Sequence, residues 1–354
     1  MYQRLCEIQP VDFDALRASK KRMLLLAEGF EERSISFISK CNGVFFDIIV
    51  ICKYMPEKES KYLALKNIIK DRFGNAVIKE LIFYRYNPFE FENELSMLFS
   101  DMNLLDEIII DVSVMSKYMI MQIMSSLASF NNTLVIVYTE PMSYAPSEIE
   151  FNDNVLKGGQ DAAALLPSYG VHDIIRTPLL TSLVMQKSPI VLIAFLSFNE
   201  QLIRALLSEL NPVHLLLING VPPELSWRES AMAKIHNKII NEYISDNNFD
   251  ESSLPIRKTS TLYYLETFNM LVDIYKKYCL TNRIVISPTG SKMQAVASSL
   301  IKICCQDIHI EYPTPESYFV SGYSSSNIKT IHQVIFLNFK QLIAQIITNY
   351  ELNQ

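Results

Sequence analysis

The sequence predicts an α/β protein of two tandem Rossmann-like, parallel-sheet domains related by internal duplication. Three observations predict it. Short aliphatic runs rich in β-branched residues alternate with longer segments of helical spacing. The alternation is run through twice along the 354 residues. Three loops that follow corresponding strands carry matching residues at a nearly constant offset. With 49% hydrophobic and 20% charged residues, the chain is apolar enough to fill two ordinary cores.

In order, Met23 to Ala27, Asp47 to Cys52, Val77 to Phe83, Glu107 to Asp111 and Leu134 to Tyr138 read as buried strands. Glu57 to Arg72 and Ser116 to Phe130 read as crossover helices. Met115, Met119, Met121 and Met124 keep mostly helical spacing and read as core. The stretch from Ile149 to Lys187, with Gly158-Gly159 and Pro167 to Gly170, breaks the periodicity and reads as a connector that can hold an additional hairpin. Ile190 to Ala194, Val213 to Ile218, Arg283 to Ser287 and Asp307 to Tyr312 repeat the strand pattern, and Ile331 to Leu337 and Lys340 to Tyr350 read as a last strand and a closing helix. The expected domains are 1–148 and 188–354, joined by 149–187.

The matched loops carry the duplication. Tyr138-Thr-Glu-Pro141-Met-Ser143-Tyr144 stands against Tyr312-Pro-Thr-Pro315-Glu-Ser317-Tyr318, about 174 residues on. Asp111-Val-Ser113-Val-Met-Ser116-Lys117 stands against Ser287-Pro-Thr289-Gly290-Ser291-Lys292 with one gap, and Pro56-Glu57 against Pro223-Glu224. The competing explanation is that apolar strands resemble one another whatever their origin.

Composition narrows the function. A net charge of −6 gives no broad basic face for duplex nucleic acid, and no apolar run reaches the ~20 residues of a membrane span. The start of the chain does not read as a secretory signal, so a cytoplasmic protein with reduced thiols is expected. The five histidines are isolated, no zinc-ligand spacing occurs, and neither metal nor cofactor is expected. GxGxxG, GxSxG and HExxH are missing, and Val285 stands where a P-loop has its first glycine.

What remains is an anion site at the carboxyl ends of the strands, where loops and helix N-termini converge. Thr289, Gly290, Ser291 and Lys292 offer hydroxyls, a tight turn and a cation, while Ser113, Ser116 and Lys117 stand at the equivalent point of the first domain. The plainer reading makes Ser291 a helix cap and Lys292 a solvated residue. In the opening loop, Gly29 is a candidate ligand-binding residue, and Arg33 either meets a phosphate or pairs with Glu31 and Glu32. Those acids read as a helix start or as an acid–base pair. Tyr144 and Tyr318 either stack on a base or pack on a helix. A pseudo-twofold arrangement would bring Lys117 and Lys292 to one shared cleft, with unequal half-sites because the opening loops differ.

The strand IVIS followed by Pro-Thr289-Gly290-Ser291-Lys292-Met resembles the fourth-strand motif of the CRISPR-associated Rossmann fold (CARF) family, sensors of cyclic oligoadenylates in prokaryotic antiphage defence. The family's usual form has a second glycine that this chain lacks, and DVSVMSK departs further. The resemblance implies a cytoplasmic nucleotide-sensing module for a small anionic nucleotide-like ligand, acting through a partner effector protein because no separate nuclease domain is evident. It also implies an optional metal-independent ring cleavage. There a ribose 2′-hydroxyl attacks its own phosphodiester while Lys292 and Lys117 stabilise charge and Ser291 and Ser116 position phosphate. The alternative is a non-enzymatic adaptor or scaffold subunit of a multiprotein defence complex.

Overall fold

The computed structural model describes residues 5–57, 59–100, 102–155, 168–247, 256–318 and 324–352. It divides into two units, Met1–Tyr144 with Ser324–Gln354, and Ala145–Tyr323. Gly158, Gly159 and Pro167 of the expected connector lie outside the described residues.

In the first unit, five parallel strands, β1 (Arg22–Ala27), β2 (Ile48–Met55), β3 (Val77–Tyr84), β4 (Glu107–Asp111) and β5 (Thr133–Pro141), alternate with α1 (Arg33–Lys40), α2 (Tyr62–Arg72), α3 (Phe89–Phe99) and α4 (Lys117–Ser126). Every residue of β1 and β4 is buried, as a sheet covered on both faces requires. Leu24, Leu26, Ile49 and Ile51 pack with Phe37 and Ile38 of α1 and Leu65 and Ile69 of α2. Met115, Met119, Met121 and Met124 are fully buried, as their spacing predicts.

The second unit repeats the plan with β6 (Ile190–Phe195), β7 (His214–Val221), β8 (Arg257–Ser260), β9 (Arg283–Ser287) and β10 (His309–Ile310), alternating with α5 (Gln201–Leu210), α6 (Trp227–Asn247), α7 (Tyr264–Tyr278) and α8 (Lys292–Cys304). Its five strands are also parallel. Asn211 ends α5 in the left-handed conformation, φ 42°, which asparagine tolerates better than most residues. Leu192, Ala194, Leu215, Leu217 and Val285 meet Ile203 and Leu206 of α5 and Met232 and Ile239 of α6.

The sheets have the same order. In the first it runs β3-β2-β1-β4-β5, and in the second β8-β7-β6-β9-β10. The order reverses between β1 and β4 and again between β6 and β9, so each unit has its own topological switch point.

Three sequence expectations are corrected. The last strand, β11 (Ile328–Phe336), runs antiparallel to β5 in the first sheet and is followed by α9 (Phe339–Asn349), so 188–354 is not one domain. In this pairing Val334 and Phe336 are both fully buried. Gln9–Pro10 pairs with β11 and completes seven strands, making this sheet mixed. The described part of the connector holds no hairpin of its own: Ser168–Tyr169 pairs with Ser317–Tyr318, and Asp173–Ile175 with Tyr312–Thr314. Finally, β8 was not expected, because RKTS is polar and short and carries its register only through β7.

Candidate functional site

In the first unit, the loops leaving β1 and β4 meet at the switch point. A Cβ on Gly29 would lie 3.0 Å from Cβ of Val114, so glycine lets the two loops touch. The Gly29 carbonyl accepts the Lys61 amide at 2.8 Å. The buried Glu28 carboxylate accepts the Tyr54 amide at 2.8 Å and the Ser60 hydroxyl at 3.3 Å, tying the ends of β1 and β2 together. The Tyr54 hydroxyl donates to the Val114 carbonyl at 3.2 Å and accepts the Ser116 amide at 2.6 Å, which fixes the entrance of α4.

Around this frame stands a charged cluster. Arg33, 3% exposed, donates from Nε and Nη2 to the two oxygens of Glu31 at 2.9 and 2.8 Å. Burial works against its charge, but Glu31 holds the guanidinium pKa above its ordinary value. The Ser324 hydroxyl donates to Glu31 as well. The Arg33 guanidinium lies 5.7 Å from the centre of the Tyr144 ring, whose hydroxyl bonds that of Tyr138. Burial pushes both phenols above their usual pKa, so they stay protonated at neutral pH. Glu32 pairs separately with Lys61 at 2.8 Å, so Glu31 and Glu32 serve different cations instead of facing each other as an acid–base pair.

The β4 loop adds Asp111 and Lys117. Asp111, 3% exposed, accepts the Ser113 amide at 3.0 Å and the Ser113 hydroxyl, and that hydroxyl accepts the Thr139 amide at 2.8 Å. Burial pushes the Asp111 carboxyl up to about 6, against the pull of its Ser113 hydrogen bonds and of Arg33. Lys117 is the first residue of α4 and is partly buried, and burial together with Arg33 brings its ammonium down to about 8. Among the described residues no hydrogen bond or ion pair engages that ammonium. Ser116 caps α4 by accepting the Met119 amide at 3.1 Å.

The second unit spends its hydroxyls differently. Thr289, 3% exposed, donates to the Phe195 carbonyl, stitching the ends of β9 and β6 together. Ser291 accepts the Gln294 amide at 3.1 Å, Gln294 returns a bond to the Ser291 amide at 2.8 Å, and the Ser291 hydroxyl donates to the Thr261 carbonyl at 2.7 Å. This capping box commits the Ser291 proton to the protein. Gln294 also donates to Thr259 at 3.0 Å, and Thr259 accepts from Thr267 at 2.9 Å. Lys292 is the partly buried first residue of α8. Tyr318 sits in the short antiparallel pair with Ser168–Tyr169.

Gly290 is required by packing. A Cβ there would lie 2.9 Å from Cβ of Phe195 and 2.2 Å from Oε1 of Gln294, opening the capping box. Gly290→Ala should therefore cost about 1–3 kcal/mol in urea unfolding, the size of an overpacked contact. Gln294→Ala in the same background should recover part of it, since the clash with the amide is removed.

Laid on equivalent positions, three charged residues of the first unit become neutral in the second, while Lys117 and Glu32 keep charged counterparts in Lys292 and Glu200. Glu31, Arg33 and Asp111 correspond to Asn199, Gln201 and Ser287, counted from the first residues of α1 and α5 and from the ends of β4 and β9. Asn199 turns inward instead, donating to the Gly170 carbonyl at 3.0 Å. Sequence reasoning singled out Gly29, Arg33, Ser113, Ser116 and Lys117, which the first unit brings to one edge with Tyr144. It missed Asp111 and Tyr138, whose signal was a polar residue ending an apolar strand. It also missed Ser324, for which no local signal exists, because its partner is 293 residues away.

No family model and no curated protein matches the chain. Among solved structures, it is similar to a type III CRISPR defence DNA nuclease activated by cyclic oligoadenylate, at 8% identity and TM-score 0.49, covering 82% of this chain and 65% of that one. It thus spans about two thirds of that protein's length. It is also similar to a putative universal stress protein from Pseudomonas aeruginosa UCBPP-PA14, at 10% identity and TM-score 0.23, covering 95% and 99% of the two chains. Among the described residues no helix is long and apolar enough to cross a membrane, and no group of three His, Cys, Asp or Glu side chains is placed to hold a metal ion.

Proposed function

We propose that the protein is a nucleotide-sensing module that binds a cyclic oligonucleotide-like anion at the carboxyl edges of its sheets and passes the signal to a partner effector in antiphage defence. The single observation that carries the reading is the Lys117 ammonium. It is partly buried at the first turn of α4, beside Arg33 at a topological switch point, without a counterion among the described residues. A buried cation with no anion of its own is held at a cost that a bound phosphate offsets. Lys292 opens α8 at the corresponding place in the second unit, where helix amides favour anions. The Thr289-Gly290-Ser291-Lys292 motif supplies the ligand class through its resemblance to cyclic-oligoadenylate sensors.

In this reading, Ser116 has a hydroxyl proton to offer a phosphate, whereas Ser291 must first release Thr261. Ring cleavage therefore draws on Lys117 and Ser116 more readily than on Ser291. Tyr144 and Tyr318 are proposed to flank bases from their separate loops.

Small molecules released by denaturing freshly purified protein, identified by mass spectrometry, should include an oligonucleotide. Calorimetric titration with cyclic tetra-adenylate should show binding that weakens roughly ten- to a hundredfold in Lys292→Ala, the loss of one charge-assisted contact. Equal affinity in the variant would remove Lys292 from the site. An adaptor that keeps no ligand would release no nucleotide and bind none.

A further inference from the structure

The pairing of Arg33 with Glu31 raises a question of access. A guanidinium 3% exposed and held by both oxygens of a carboxylate offers no net charge to an incoming phosphate. Yet the bidentate geometry Glu31 adopts is the geometry in which arginine takes phosphate.

We propose that Glu31 is an internal counter-anion occupying a latent anion-binding site on Arg33, and that a phosphate or pyrophosphate group of the ligand takes its place. The inference rests on the anion-binding reading of this edge and adds its regulation.

The surroundings give the exchange a consequence. Glu31 also accepts from Ser324, and Tyr144 lies under the guanidinium. Tyr144 and Ser324 pair with each other across an isolated antiparallel bridge. The neighbouring backbone continues that pairing, the Ser325 amide bonding the Ser143 carbonyl at 3.0 Å and the Met142 amide the Asn327 carbonyl at 2.9 Å. These are the two places where the chain leaves the first unit and returns to it. Moving Glu31 off Arg33 withdraws an acceptor from one of these segments, and the other carries the Tyr144 ring that faces the guanidinium. Binding at Arg33 is thereby coupled to both crossings, with differential contacts in the two arrangements, as linkage requires.

The design differs from an ordinary structural ion pair in one measurable way. Breaking a structural pair by Glu31→Gln strands the arginine, and no solute repairs it. Breaking a stand-in for a ligand leaves a site that an external anion fills. With inorganic pyrophosphate as probe, Glu31→Gln should melt below the wild type, recover on adding millimolar pyrophosphate, and bind it about tenfold more tightly. The Glu31→Gln/Arg33→Gln double variant should show no such recovery, which separates the site from general stabilisation by salts. Amide exchange at Met142 and Ser325 should quicken in Glu31→Gln without probe and in the wild type with it.

A Glu31→Gln protein rescued no better than the double variant overturns the proposal, as does unchanged exchange at both crossings. If Glu31→Gln does not fold, Ser324→Ala, which loosens the carboxylate, should raise pyrophosphate affinity about threefold; equal or weaker affinity overturns it. Cyclic tetra-adenylate binding that depends on Lys117 and Lys292 but ignores Glu31 defeats this inference and leaves the proposed function standing. Pyrophosphate rescue with no nucleotide binding does the reverse.

Discussion

Glu107→Gln should destabilise the first unit by about 3–5 kcal/mol, read as a lowered urea midpoint with little change in slope. Arg22 and Glu107 are the paired opening residues of β1 and β4, 1% and 4% exposed, and their side chains meet at 2.5 Å. Lys20 adds a second contact to Glu107 at 3.0 Å, and Arg22 also donates to the Ala18 carbonyl at 2.9 Å. The amide leaves the guanidinium buried without its anion, and that stranded charge is the main cost. Arg22→Met/Glu107→Leu should recover most of the loss, because both desolvation penalties vanish together. A double variant as unstable as the single one would mean that packing, not charge, holds this corner.

The ion pair sits at the amino edge of the sheet, opposite the candidate site, so the variant should leave ligand affinity unchanged wherever the protein is folded. This separation of a stabilising edge from a binding edge follows from parallel topology, since the connecting loops at the carboxyl ends are free to vary.

Much of this arrangement was legible in the sequence for a physical reason. Strands buried on both faces must be apolar throughout, so RMLLLA, EIIID and RIVIS announce themselves. The Met series of α4 is legible for the same reason. The matched segments Tyr138-x-x-Pro141 and Tyr312-x-x-Pro315 both take part in antiparallel pairing, the first within β5 against β11 and the second just after β10 against Asp173–Ile175. The short polar strand β8 was not legible, because its place is set by hydrogen bonds to β7 and not by side-chain pattern. The return of β11 to the first sheet was hidden for a different reason: a strand's partner is a non-local choice, and periodicity says only that a face is buried.

The candidate site was half legible. Glycine, serine and lysine at strand ends mark loops that pack closely and open helices, and Gly29 and Gly290 do so from opposite loops. Gly29 follows the first strand and receives Val114 from the fourth-strand loop, whereas Gly290 follows the fourth and receives Phe195 from the first. The same close approach is met by removing a side chain on either partner. The charges were less legible, since Asp111 lies far in sequence from the neighbouring Glu31 and Arg33, and the neutral counterparts Asn199, Gln201 and Ser287 look unrelated until the sheets are laid on one another.

Lys117→Ala should weaken cyclic tetra-adenylate binding roughly ten- to a hundredfold, and Lys117→Arg should change its pH profile. The Lys117 ammonium titrates near 8 in the free protein because burial and Arg33 disfavour its charge. A phosphate placed against it favours the charge, so binding takes up a proton above that pH. Affinity should be level between about 6 and 8 and fall as pH rises through 8, approaching tenfold per unit until the pKa of the complex is passed. Arginine stays charged throughout, so Lys117→Arg should abolish this fall. Below about 6 Asp111 becomes neutral, which removes a negative charge from the cluster and should strengthen anion binding; Asp111→Asn should remove that second limb. Folding stability carries the opposite sign for the lysine. Between about 8 and its ordinary value the unfolded chain holds the proton that the folded chain has released, so stability rises with pH across the interval in which affinity falls. A wild type whose affinity is flat from 7 to 9.5, with the ligand bound, would place the phosphate away from Lys117.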